Sequence, residues 1–351
     1  MNSSPGGRRI SIIFDGSSAE LRDSVVVATL DAPITDGKNT VWCASFVCCW
    51  KEAMDEFAAG EPLRFTKSSR LAAALNAAPD SRAHMDVDEL YTEAGYVQKG
   101  ILDTIRRTKA ERFPGSEVPQ FPGIALDSFV AYAYLQVEMD FTLAYMQSEE
   151  PMVFTDSAGR ESPVSSFGLR EQDRHKGYDK LRAQAGVLFH GDYRNNSEYA
   201  IDLHVDSSPN QIVIARVDRQ PTLAATVARA RRLAREFEHP RSLGSGEVLL
   251  VPDIYWRIDH SFSELLGLVF ANEGMVGDQC IGVAKQKTSF RLSRGGVQLE
   301  SEAALYKSAS ALNFVFDGPH LIYIQKRDAE RPFFAMWVDN AELLCPWDQA
   351  P

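Results

Sequence analysis

The sequence predicts an α+β fold in a single domain over 1–351, with helices in the N-terminal third packed on large mixed or antiparallel sheets. Three observations carry that prediction. Apolar residues recur at helical spacing through a subregion at 39–112, whereas 129–338 is a succession of short apolar runs separated by turn chemistry. A chain of 351 residues with 44% hydrophobic content is also long enough to bury a large core.

Composition narrows the function classes. The formal net charge of -11 argues against a surface built to hold nucleic acid or anionic lipid. No apolar run reaches the length of a membrane span, and the polar start at 1–9 is followed only by a short apolar run at 10–14, so neither a signal peptide nor a membrane anchor is expected. The cysteines number five, and Cys43, Cys48 and Cys49 crowd one stretch, a pattern that fits a reduced cytoplasm better than a disulfide framework.

Along the chain, 10–14 and 24–29 read as short strands. Asn39 or Thr40 then caps a helix whose apolar face is Trp42, Phe46, Cys49, Ala53 and Phe57, stopped by Gly60 and Pro62. A short Ala/Leu-rich helix follows at 68–78. A longer one is expected at 86–109, with Leu90, Ala94, Val97, Ile101 and Ile105 on one face, acidic residues at its start and basic ones at its end. Pro114, Gly115, Pro119, Pro122 and Gly123 mark a boundary or a long crossover.

From Phe129 the texture turns to β. The stretch 129–146 is aromatic and nearly uncharged, as expected of one long strand buried on both faces in the middle of a large sheet. Hairpins are predicted about the turns at 156–159 and 207–210. Pro221 opens a helix with Leu223, Val227, Ala230, Ala234 and Phe237 inward, 247–258 is a strand pair interrupted at Pro252, and 261–270 reads as a short helix. Consecutive antiparallel strands close the chain over 282–338, with reversals at Arg294, Gly295 and Gly296 and at 326–331.

That closing stretch resembles the C-terminal part of the serpins, in which a buried strand leads into a small-residue hinge, an exposed reactive loop and a closing hairpin. The order of elements over 141–338 is similar to that family as well. The resemblance implies a serpin-like fold and draws attention to the loop after Glu302. Serpin inhibition depends on a cleaved loop inserting as an extra strand into the central sheet, which requires small residues. Glu302, Ala303 and Ala304 suit such a hinge, whereas Leu305, Tyr306 and Lys307 do not. Only eleven residues, 303–313, precede the strand at Phe314, and they span roughly 36 Å when fully extended. The expectation is an intracellular serpin-like protein without protease-inhibitor activity, serving as a binding or scaffold module for an unidentified protein partner. A working inhibitor is the alternative that this loop disfavours.

Two other groups of residues invite chemistry. Trp42-Cys43-Ala44-Ser45-Phe46 puts the Cys43 thiol in the first turn of the expected helix, where the helix N-terminus favours a thiolate. Papain-like hydrolases use a similar placement, although their Cys-Gly-Ser-Cys-Trp order is absent, and His190, His204 and His320 are the bases on offer. A thiol-dependent hydrolase is therefore the second reading. Asp202, His204 and Asp206 alternate along one strand and point the same way, an arrangement suited to a divalent metal or simply to a solvated strand face. Arg229, Arg231, Arg232 and Arg235 spread around more than half a helix, followed by Glu236 and Glu238, so a solvated face is expected rather than a phosphate track. No cofactor is implied.

Overall fold

The computed structural model describes residues 11–137, 139, 141–170, 178–191, 197–203, 209–272, 279–294, 312–327 and 329–347. The N-terminal part supplies β1 (Phe14–Ser17), β2 (Ser24–Val27), β3 (Asn39–Cys43), α1 (Ser45–Ala58), α2 (Arg70–Ala77), β4 (Leu90–Tyr96), α3 (Ile101–Arg112) and β5 (Phe129–Leu135). Next come β6 (Met146–Gln147), β7 (Met152–Thr155), β8 (Glu161–Val164), β9 (Ser166–Leu169), α4 (Tyr178–Gln184), β10 (Gly186–His190), β11 (Tyr199–Asp202), β12 (Asn210–Arg216) and α5 (Leu223–Glu236). The last elements are β13 (Arg241–Ser242), β14 (Val248–Pro252), β15 (Ile254–Ser261), β16 (Lys285–Leu292), β17 (Asn313–Val315), β18 (His320–Lys326) and β19 (Phe334–Val338).

The strands form an eight-stranded sheet in the order β13-β10-β11-β12-β18-β19-β3-β2, a four-stranded sheet β17-β14-β9-β6, a three-stranded sheet β1-β15-β16, and the pairs β4-β5 and β7-β8. The predicted hairpins β7-β8, β11-β12 and β18-β19 are all antiparallel pairs. The α5 helix begins at Leu223, two residues after the Pro221 expected to open it, with Thr222 Oγ1 accepting from Ala225 N at 3.1 Å, and it buries Leu223, Val227 and Ala230 as expected.

Four expectations need correction. The helix expected from Asn39 or Thr40 starts only at Ser45, because Asn39–Cys43 is a strand buried along its whole length between β2 and β19. The single helix expected at 86–109 is strand β4 followed by α3, divided at Gly100, whose φ of 83° ends one element and opens the next. The long central strand expected at 129–146 ends at Leu135, and among the described residues β5 pairs with β4 alone. The chain beyond it turns inward, burying Phe141 and Tyr145 in the main core. At 261–270 only Ser263–Leu265 is helical, as one 3-10 turn.

Two buried titratable groups give the fold opposed pH dependences. Asp253, where β14 passes into β15, accepts from Ser165 Oγ at 2.7 Å and Gln147 Nε2 at 2.6 Å. Burial outweighs these bonds and the nearby Arg294 and Arg291, pushing its pKa from 3.8 up to about 6. His320 lies against the Phe154 and Phe316 rings. Burial pushes it from 6.5 down to about 4; the Nδ1–H bond to Gly318 O opposes this and Arg216 adds to it. Between about pH 4 and 6 the native chain holds a proton on Asp253 that the unfolded chain lacks. In nearly the same window it lacks one on His320 that the unfolded chain holds. Acidification through that window therefore adds stability at Asp253 and removes it at His320, each by about 3 kcal/mol, and the two nearly cancel. Relative to wild type, the urea midpoint of Asp253→Asn should fall between pH 7 and about 4.5, and that of His320→Gln should rise. Parallel pH profiles for all three chains would refute both assignments.

Candidate binding cleft

The β5 sequence, Phe-Val-Ala-Tyr-Ala-Tyr-Leu, alternates between two faces. Val130, Tyr132 and Tyr134 pack toward α3, while Phe129 and Ala131 pack into the cluster built around α1. The α1 helix runs beneath both β4-β5 and β16. Among the described residues β5 is paired on one side only, by β4, and β16 on one side only, by β15. Both strands line one open cleft of about 2480 Å³. Phe46, Trp50 and Ala53 from α1 contribute to its lining, with Ile324, Phe333 and Phe334 from the region of the large sheet.

Residues 114–125, from the Pro/Gly-rich connection, line the cleft as well. That connection is tied across to the β16 side by Glu117 Oε2 and Lys287 Nζ at 2.8 Å and by Gln279 Nε2 donating to Asp127 O at 3.0 Å. At its root, Lys109 Nζ sits 4.2 Å above the Tyr134 ring and donates to Ser116 Oγ at 2.8 Å and to Glu117 O. Burial lowers the Lys109 pKa, with Glu117 opposing.

The β16 strand alternates strictly: Lys285, Lys287, Ser289 and Arg291 are exposed, and Gln286, Thr288, Phe290 and Leu292 are buried. Gln286 Nε2 donates to Cys43 O at 3.0 Å and Ser45 Oγ at 2.9 Å, which fastens β16 to the start of α1. The hydrogen bond and charge of Lys287 hold the Glu117 carboxyl below its ordinary range, and Glu117 in turn raises the Lys287 pKa, with Asp259 and Asp15 helping.

Of the residues singled out from the sequence, Cys43 lines this cleft. It ends β3 one residue before the N-cap of α1, so it lies outside the helix, although its sulfur meets Ser45 at that helix start. Burial raises its pKa, against the hydrogen bonds with Ser45. No histidine is among the described residues lining the cleft. His190 packs on Phe237, and His320 is a core side chain. Asp202 is 1% exposed, not on a solvated face, and its Oδ2 accepts from Arg327 Nη1 at 2.7 Å and Gln211 Nε2 at 3.1 Å. His204 and Asp206 lie outside the described residues, as do Glu302, Ala303, Ala304, Leu305, Tyr306 and Lys307. Among the described residues no three His, Cys, Asp or Glu side chains group as metal ligands. The arginines of α5 are committed locally, Arg229 to Glu198 and Asp218, and Arg231 to the Ala329 and Glu330 carbonyls. The edges of β5 and β16 were missed in the sequence, although the Lys-Gln-Lys-Thr-Ser-Phe-Arg-Leu alternation was there to be seen.

Solved structures place this architecture. Thyroxine-binding globulin in complex with thyroxine superposes with a TM-score of 0.53 at 10% identity, covering 87% of this chain and 94% of that one. Native protease nexin-1 with heparin superposes at 0.51 and 11% identity, covering 86% and 93%. The fold is serpin-like. A serpin of the insect Tenebrio molitor also matches, at a TM-score of 0.45 and 12% identity over 86% of this chain and 92% of that one. No protein-family model matches this serpin-like chain, and no curated relative does. The expected fold class is thus the observed one, while at these identities the likeness speaks for the fold alone. Among the described residues no helix is long and apolar enough to cross a membrane.

Proposed function

We propose that this serpin-like chain is a non-inhibitory binding or scaffold protein, and that its site is the cleft between β5 and β16, which receives an extended stretch of a partner polypeptide. One observation carries this reading: two strand edges, each paired on one side only among the described residues, line the same cleft. Backbone N–H and C=O groups along such edges call for partners, and an extended polypeptide supplies them at the right spacing. The sequence argues against the chain's own loop as the occupant. Twenty residues, 293–312, separate β16 from β17, and within them Leu305, Tyr306 and Lys307 are bulky where an inserting loop needs small residues. The complex of thyroxine-binding globulin with thyroxine is a precedent for ligand binding on this frame. All five cysteines are free thiols, which supports a reducing, intracellular compartment. The hydrolase reading finds little support, because a buried Cys43 with a raised pKa is a poor nucleophile at neutral pH.

The test is incubation with trypsin, chymotrypsin and papain. We expect nicked or intact chain, no covalent complex that survives boiling in detergent, and a thermal midpoint unchanged or lowered after a cut mapped between 306 and 312. A boiling-resistant complex, or a gain on the order of tens of degrees after that cut, would overturn the non-inhibitory reading.

A further inference from the structure

We infer that Ser18 is a nucleophile toward activated acyl groups, such as thioesters and acyl phosphates, with His260 as its general base, an activity separate from the cleft. Parallel pairing of β1 with β15 sets Ser17 against Asp259, so the next residues along, Ser18 and His260, come side by side. Ser18 opens the 3-10 turn Ser18–Glu20 that follows β1, and its Oγ lies 2.7 Å from His260 Nδ1. In the tautomer with its hydrogen on Nε2, His260 accepts from the Ser18 hydroxyl, the bond through which a base activates such a nucleophile.

The surroundings fit the imidazole for this task. The Phe262 ring packs edge-on against it at 4.4 Å and rests in turn on Phe46 at 4.1 Å, which fixes the imidazole plane. Gln286 stands directly opposite on β16, 6% exposed, with an Oε1 that no donor reaches among the described residues. This acceptor and the Nε2–H donor share the inward face of adjacent strands, which makes Gln286 the positioning residue. Burial lowers the His260 pKa from 6.5, with Glu264 opposing, so the ring is a neutral base at pH 7. The other nearby charges are turned elsewhere: Asp15, Asp259, Lys285 and Lys287 stand on the exposed outward face, and Glu20 Oε1 accepts from Ser17 N. In the reaction Ser18 Oγ bonds to the acyl carbon as its proton passes to Nδ1. The bond to the leaving group breaks, the leaving group takes that electron pair, and the proton moves on from Nδ1 to it or to water. The cap of the turn limits the substrates. Ser17 Oγ already accepts from the Ala19 and Glu20 N–H groups, so these are not free to hold an oxyanion, and the pair suits acyl groups with a good leaving group rather than peptide bonds.

The experiment mixes the full chain with p-nitrophenyl acetate, follows nitrophenolate release and maps acetyl groups by mass after digestion. Ser18 should be acetylated in one rapid phase, and His260→Gln, checked for folding by circular dichroism, should slow that acetylation about a hundredfold. The Ser18 rate should level off above about pH 7, where His260 is neutral, whereas a serine driven by hydroxide alone speeds up about tenfold per pH unit. Glu264→Gln, altered at an exposed position, removes the charge that opposes burial and should move the midpoint of that profile to lower pH. The pH profile of the unaltered chain decides the matter even where His260→Gln does not fold. Acetyl groups on lysines or Cys280 but none on Ser18, a Ser18 rate that keeps rising to about pH 9, or one that a folded His260→Gln leaves unchanged overturns the assignment. The cleft reading is untouched by any of these results.

Discussion

Gly168→Ala should be the most damaging single substitution in the described structure, costing roughly 4 kcal/mol or more. Gly168 sits in β9 between β6 and β14, opposite Met146 and Leu250. Its φ is +155°, which side chains rarely adopt, and a Cβ there would lie 1.9 Å from the Leu249 carbonyl oxygen and 2.7 Å from its carbon. The obstacle is backbone, so no rotamer change relieves it, and β9 and β14 would have to part. Gly159→Ala is the internal control. That glycine also has a positive φ, +78°, but nothing lies within 4 Å of its added Cβ, so the cost there is about 1 kcal/mol. Urea midpoints of the two variants measure the difference. Similar losses at both sites would mean that β9 does not approach β14 this closely.

Asn39→Ala should cost about 4 kcal/mol, nearly as much, through hydrogen bonding rather than sterics. Asn39 is fully buried at the start of β3. Its Nδ2 donates to Ser24 Oγ at 3.0 Å and Asn340 Oδ1 at 2.9 Å, while its Oδ1 accepts from Asp339 N at 2.8 Å and Asn340 N at 3.0 Å. Truncation leaves two buried backbone N–H groups without this acceptor and removes the tie between β3 and the chain after β19. Asn39→Asp keeps the acceptor but buries a charge in place of the donor, so it should be no better tolerated. Guanidinium denaturation, with the Trp42 and Trp337 environment read by fluorescence, measures both losses. A shift under about 1 kcal/mol in Asn39→Ala would show that the network is incidental.

These two sites lie in different sheets, and the second bears on the cleft. β3 carries Cys43, whose carbonyl receives Gln286 from β16, and leads through Ala44 into α1, which lies beneath both open edges. Loosening β3 at Asn39 therefore shifts the support of the site as well as the core.

By itself the sequence determined the α+β class, the order of hairpins in the second half, the inward face of α5 and the end of α1 at Gly60. Each rests on local chemistry: turn residues and apolar residues at helical spacing. Only the tertiary structure decided that Asn39–Cys43 and Leu90–Tyr96 are strands and that β5 stops at Leu135. The reason is that apolar residues four apart, such as Leu90 and Ala94 or Trp42 and Phe46, share a face in a helix and also in a strand, so their spacing does not choose between the two. The choice came from partners far along the chain, with Trp42 set against Ala335 and Tyr91 against Tyr134. The cleft is a product of the same decisions: among the described residues β5 and β16 each found a partner on one side only, a matter of three-dimensional pairing on which the residues of neither strand carry local information.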